Sequence, residues 1–310
     1  MSADLKPDRP TIGFVMIGRN EGQRLAACLK SVSALQAPAI YVDSNSTDNS
    51  VALALAYGVQ VLPLDLTKPF SAARARNEGA QKLIAKHPEV EFIQFLDGDC
   101  ELDPGWISAA IEFLVQNEKA AVVCGRRRER FPKASTYNLL CDMEWDTPTG
   151  KTLFFGGDAL IRRAAFAEVG GYNSQLIAGE EPEMSVRLRQ NGWEIWRIDH
   201  PMTLHNADMT RFKQWWMRNV RAGHAYAEGF HMHGAFPERF CRQNVLSNYV
   251  WALPVMWPLW PILWFRIFRA RSNTSYATFV TLSKIPQAFG QLKFQWTQWT
   301  GRRSTIIEYK

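Results

Sequence analysis

No CxxC pair occurs in this 310-residue chain, and its five cysteines (Cys28, Cys100, Cys124, Cys141, Cys241) are odd in number and widely scattered. Neither a disulfide framework nor a zinc site is signalled, and a reducing compartment is expected. The opening residues MSADLKPDRP hold no apolar stretch behind a basic start, and the hydrophobic run at 12–17 is too short for a leader or a span. The N-terminal part is therefore expected to begin in the cytosol. Acids are scarce at the other end. Residues 211–310 set 14 Lys and Arg against three acids (Glu228, Glu238, Glu308), a net +11, whereas residues 1–210 carry 22 against 27, a net −5. The two parts are expected to meet different partners.

What is present suffices for one large core: 46% of residues are hydrophobic and 21% charged, a globular chain of one or two domains. Residues 11–17 read as a strand, followed by the polar loop 18–22 and a helix with Leu25, Leu29, Val32 and Leu35 at helical spacing. The unit repeats. A strand at 39–42 closes on Asp43, Asp48 stands as N-cap to a helix that Gly58 ends, and 59–64 is a third strand. A helix over 71–86 precedes the apolar strand 92–96, Asp103-Pro104 opens a helix, and a fifth strand occupies 120–124. This alternation predicts an α/β fold with a mostly parallel, doubly wound sheet, whose ligands gather outside the carboxyl ends of the strands. The loops at 18–22, 43–48 and 97–101 all fall on that edge.

Residues 243–265 contain no charge but include Trp251, Trp257, Trp260 and Trp264, with Arg239 and Arg242 before and Arg266, Arg269 and Arg271 after. Pro254, Pro258 and Pro261 break a simple helix, and tryptophan favours the headgroup region, so an interfacial or re-entrant hairpin is expected, with a single span and a buried core segment as the alternatives. Basic residues flanking an uncharged block suit anionic membrane lipids rather than single-stranded nucleic acid, and no nucleic-acid partner is expected.

Asp97-Gly98-Asp99 sets two carboxylates at a strand end with a glycine between them, where they converge on a volume fit for a hard divalent cation on a diphosphate. Glu180-Glu181-Pro182-Glu183 opens a helix, with Pro182 expected in its first position and Glu181 near the cap. Residues 126–130 (Arg-Arg-Arg-Glu-Arg) read as a solvated loop near the active edge, within reach of an anionic acceptor. Residues 152–155 look strand-like before Gly156-Gly157-Asp158, and a strand at 193–198 precedes His205.

Together these residues resemble the family 2 glycosyltransferases of GT-A fold over roughly residues 10–230. The resemblance rests on IGRNEG at 17–22, VDSNSTDNS at 42–50, ARARNEGA at 73–80, FLDGDCELDPGW at 95–106, GGDALIRR at 156–163, GGYN at 170–173 and AGEEPEMSVRLRQNGW at 178–193. It implies that Asn20, Glu21 and Asp43 hold the nucleoside. Arg76 falls at a base- or phosphate-contacting position, and Asp97 with Gly98 at the ribose or base. Asp99 falls at the metal ligand, with His205 beside metal and diphosphate. Glu181 takes the place of the family's general-base aspartate, with Glu180 or Asp158 as substitutes. Gly156, Gly157, Asp158 and Glu180 match the acceptor side. Gln214-Trp215-Trp216 with Arg218 and Arg221 is similar to the QxxRW segment of processive members, although tryptophan precedes arginine here; Trp216 and Arg218 then face the acceptor.

The expectation is a GT-A catalytic domain over 1–235 and a basic, Trp-rich, membrane-associated helical region over 236–310. The activity implied is inverting transfer of a sugar from a nucleotide diphosphate donor, with Mn²⁺ or Mg²⁺, to a hydroxyl of a cell-surface or lipid-linked glycan at the cytoplasmic face of the inner membrane. A polyprenyl-phosphate glycosyltransferase and a sugar-nucleotide-binding protein without turnover are the alternatives.

Overall fold

The computed structural model describes residues 11–302 and 305–307; the opening residues 1–10 and Glu308, both noted above, lie outside the described residues. The first half alternates as expected: β1 (Ile12–Gly18), α1 (Gln23–Ser33), β2 (Ala39–Asp43), α2 (Ser50–Ala56), β3 (Gln60–Pro63), α3 (Ala72–Lys86) and β4 (Phe92–Asp97). Then come β5 (Cys100–Leu102), α4 (Trp106–Gln116), β6 (Ala120–Glu129), α5 (Thr136–Trp145), β7 (Gly150–Thr152), β8 (Ala159–Arg162), α6 (Arg163–Glu168), α7 (Glu180–Gln190) and β9 (Glu194–His205). The remainder is helical: α8 (Phe212–His233), α9 (Arg242–Ala252), a 3₁₀ turn (Pro254–Leu259), α10 (Trp260–Arg271), α11 (Thr274–Leu282) and α12 (Lys284–Trp299).

Among the described residues the nine strands form one sheet in the order β3-β2-β1-β4-β8-β6-β9-β5, with β7 on β9. β1, β2, β3 and β4 are parallel, β6 is parallel to β9, and β8 runs antiparallel between β4 and β6. Phe14, Val15, Met16, Phe95 and Leu96 are all fully buried, as a strand with a helix layer on each face must be. The register pairs Gly18 with Asp43 and Ile17 with Asp97, so both acidic loops leave the sheet at the same edge.

Several boundaries move, each for a visible reason. Asn49 rather than Asp48 caps α2, because the Asp48 carboxylate accepts hydrogen bonds from the Gly22 and Ser50 amides. The Asp103 carboxylate accepts from the Gly105 amide in a turn, and α4 begins only at Trp106. Pro182 lies third in α7: Gly179, in the left-handed region at φ 80°, admits Glu180 and Glu181 as the first helical residues. β7 stops at Thr152, leaving Leu153 and Phe154 exposed. β9 runs past 198 to His205, which pairs with Cys100. The basic run 126–130 is not a solvated loop: β6 continues to Glu129 through register shifts around Arg126, burying Glu129 and half-burying Arg127 beside β9.

No single helix among the described residues is long and apolar enough to cross a membrane. α9 and the Pro254–Arg271 segment reach that length and composition only together, and they are bent by 96°, as prolines 254, 258 and 261 require. α12 lies along α8 in a very close crossing. A Cβ on Gly223 would sit 2.0 Å from the Gln287 carbonyl oxygen, and one on Gly290 would sit 1.9 Å from that of Val220. Only glycine allows two backbones this near.

Candidate active site

The acidic edge opens into a cleft of about 630 Å³ lined by Glu21, Asp97, Gly98, Asp99, Gly157, Glu180, Glu181 and His205, and by Arg218, Arg221 and Tyr226 of α8. At one end the loops after β1 and β2 are sewn together. The Asn20 amide donates to Ser46 Oγ at 2.9 Å and its side-chain oxygen accepts from the Thr47 amide at 2.7 Å. The Asp43 carboxylate accepts from the Ser46 amide at 2.9 Å. The structure therefore gives Asn20 and Asp43 a loop-shaping place; Glu21 and Ser44 face the cleft, and Glu21 pairs with Arg24 at 2.9 Å.

The centre of the site is one buried arginine among three carboxylates. Arg76, on α3 and 2% exposed, reaches Asp97 with Nη2 at 2.9 Å, and Glu180 and Glu181 with Nη1 at 2.8 and 2.9 Å. A second guanidinium, Arg127, meets the other Asp97 oxygen at 3.2 Å and Asp158 at 3.5 Å, and stacks on Trp145 at 4.9 Å. Burial alone would raise Asp97, but Arg76 and Arg127 outweigh it and hold the carboxyl below its ordinary value. Glu181 goes the other way. Burial and then the adjacent Glu180 carboxylate push it from 4.5 up to about 7, against the pull of Arg76. A carboxylate poised near neutrality suits general-base work.

Asp158 stands elsewhere than the acceptor-side loop expected. Only 1% exposed, it accepts from the Asp97 amide at 3.0 Å and Thr203 Oγ1 at 2.8 Å, so it braces the Asp97 loop from beneath. Gly156 leads into this turn outside the cleft lining. Gly157 does line it: a Cβ there would fall 2.8 Å from an Asp97 oxygen and 2.9 Å from Arg76 Nη2.

Three residues fit a cation. Asp99, Cys100 and His205 offer ligand atoms that all lie within 4.8 Å of one another. His205 Nε2 is 3.3 Å from Asp99 Oδ1, and its Nδ1 is 3.5 Å from the buried Glu129 carboxylate. A carboxylate behind the ring and an acid in front is the usual support of a metal-binding histidine. Burial pushes the Cys100 thiol well up, so it stays protonated and ill-suited to a hard cation. Asp99 and His205 are therefore the pair whose chemistry fits a divalent cation such as Mn²⁺ or Mg²⁺.

On the far wall, Arg218 Nη1 pairs with Glu144 at 2.6 Å, beside Arg221, Tyr226 and Gln287. Trp216 points away from the lining, packed with Met217 against Ile177, Val220 and Ile307. Glu144, Trp145 and Tyr226 were not singled out by sequence, and Arg127 and Glu129 were read only as members of a solvated charge run near the active edge. For Arg127 and Glu129 the signal was there, since the two-residue period of β6 carries both to one face.

An open, mostly parallel sheet whose acidic loops converge at one carboxyl edge is the GT-A class of fold. The chain belongs to glycosyl transferase family 2, whose model matches residues 14–170. It is similar to glucomannan 4-beta-mannosyltransferase 7 of Arabidopsis thaliana, 28% identical over 138 residues (41% of this chain, 24% of that protein), and to glucomannan 4-beta-mannosyltransferase 2 of the same plant, 28% over 134 residues (40% and 24%). The chain spans about a quarter of the length of these relatives. In fold it is similar to the mannosyltransferase PcManGT from Pyrobaculum calidifontis in complex with GDP-Man and Mn²⁺ (TM-score 0.66, 16% identity, 94% of this chain and 89% of that one). GalNAc-T7 with UDP, GalNAc and Mn²⁺ is also similar (TM-score 0.55, 16% identity, 88% and 56%).

Proposed function

We propose that the chain transfers a sugar, with inversion, from a nucleoside diphosphate donor to an acceptor hydroxyl. The observation that carries this is the meeting of Glu181 with Asp97 and Asp99 on one cleft, in a family 2 member. Glu181 accepts the proton of the attacking hydroxyl. Across from it, Asp99 and His205 would hold Mn²⁺ or Mg²⁺, which when bound neutralises the departing diphosphate. Arg218 and Arg221 stand on the wall where an anionic leaving group or acceptor phosphate would be met, and Glu21 faces the nucleoside end.

The names of the relatives put GDP-mannose first among donors. A thermal-shift screen of GDP-mannose, UDP-glucose, UDP-GlcNAc and UDP-GalNAc with Mn²⁺ identifies the donor, because a ligand bound only by the folded state raises its melting temperature. Transfer to a mannan or glucan oligosaccharide, with the product anomer read by NMR, then tests the reaction. Donor binding without transfer or hydrolysis would instead mark a sugar-nucleotide-binding protein.

The same proposal puts the enzyme at the cytoplasmic face of a membrane, acting on a surface or lipid-linked glycan. Supporting it, Val255, Ile262 and Phe265 are exposed beside Arg266, Arg269 and Arg271, and Phe289, Leu292, Trp296 and Trp299 make an exposed stripe along α12. Co-sedimentation with phosphatidylglycerol vesicles but not phosphatidylcholine vesicles is the expected result.

A further inference from the structure

We infer that Arg76 is a positioning residue that fixes the Glu181 carboxylate at a set distance from the aspartate pole of the cleft, instead of contacting the donor's base or phosphate. The inference rests on the reading of Glu181 as the base.

The geometry behind it is a guanidinium whose two terminal nitrogens are both committed to carboxylates. One terminal nitrogen is spent on Glu180 and Glu181 and the other on Asp97, and the Arg76 Cζ lies 5.5 Å from the Tyr172 ring centroid. Gly157 closes the front, since its backbone runs so near that a Cβ would lie 2.9 Å from Nη2. A donor phosphate would have to displace ion pairs that are already buried. Without the arginine, three carboxylates would share this space and repel one another; with it, the base side and the aspartate side become the two ends of one rigid plane. A lysine offers one point charge and cannot span both ends. The ordering matters for rate because the acceptor hydroxyl must sit in line between base and leaving group, where a displacement of about 1 Å costs roughly a hundredfold.

The groups facing Glu181 are Glu180 on its own helix, Arg76 from α3, Asp97 from β4 and Tyr172 from the loop before α7. Arg76 is the one cation among them, so its removal leaves Glu181 harder to ionise. This gives a readout that simple loss of packing would not move.

The test measures kcat, donor KM and the pH profile of kcat in Arg76→Lys and Arg76→Ala, using the donor selected by the screen above, together with calorimetric binding of GDP and UDP in Mn²⁺. Expected are a kcat lower by about a hundredfold in Arg76→Lys and nucleoside diphosphate binding within about threefold of wild type. The acid limb should move upward by about one pH unit in Arg76→Ala, with partial recovery of its kcat on adding guanidinium. Should Arg76→Ala not fold, Arg76→Lys carries the test. A kcat in Arg76→Lys within about threefold of wild type overturns the inference, as does nucleoside diphosphate binding weakened tenfold or more with the acid limb unmoved. Turnover that survives Glu181→Gln would remove the base assignment itself. Glu181→Gln inactive beside an indifferent Arg76→Lys would remove only the role given to Arg76.

Discussion

The carboxyl edge of the sheet and the helices after His233 treat charge and apolar surface in opposite ways. At the sheet edge Asp158, Glu180 and Arg76 are buried, Asp97 and Arg127 are half-buried, and each is paired with another. Along α10 and α12, Ile262, Phe265, Trp296 and Trp299 are left in water while arginines flank them. Buried ion networks cost more than they return unless they fix a geometry, and exposed apolar stripes cost solubility unless something covers them. The edge is thus arranged for a polar reaction, and the proposal above gives the outer helices a lipid surface to meet. The comparison also separates what a mutation should disturb. A change at the edge should alter rate with little effect on membrane binding, and a change on the outer helices should do the reverse.

The largest effect expected is at the cation pair. Asp99→Ala, or chelation by EDTA, should lower transfer by roughly three to four orders of magnitude, read by product formation, with vesicle binding unchanged. Next comes pH. The base works deprotonated, and Glu181 is raised from 4.5 to about 7, so kcat should fall as pH drops through about 7, reaching a tenfold loss per unit below it; a limb near 4.5 would break the assignment. On the helical side, Trp296→Asp with Trp299→Asp should weaken partition to anionic vesicles by about tenfold or more, leaving turnover of a soluble acceptor untouched. The smallest effect is expected at the joint between the regions. Gly290→Ala brings a Cβ to 1.9 Å from the Val220 carbonyl oxygen. It should destabilise the chain by about 2 kcal/mol, seen as a lower melting temperature.

Legibility followed the same division. The five alternating units and the edge position of Asp97 and Asp99 could be read from periodicity, because parallel strands are apolar runs that stop at polar loops. The local placement of Glu180 and Glu181 was two residues out, because Gly179 takes the left-handed conformation and lets the helix begin at Glu180. The basic run 126–130 was misread because five charges suggest solvent, whereas the acids that absorb Arg127 come from β4 and from the turn before β8, far away in sequence. Arg76 and Asp158 were noticed as motif residues, yet only their burial and partners show them fastened to other side chains. The bend in the uncharged segment was written in its prolines, whereas the stripe on α12 became visible only once the buried face of that helix against α8 was known.

The central claim is that Glu181 removes the acceptor's proton in the cleft it shares with Asp97 and Asp99. Its most direct test is the kcat of Glu181→Gln measured alongside its affinity for GDP and UDP in Mn²⁺. The account predicts a kcat lower by about a thousandfold with nucleoside diphosphate binding within threefold of wild type. A variant that turns over within tenfold of wild type would contradict it.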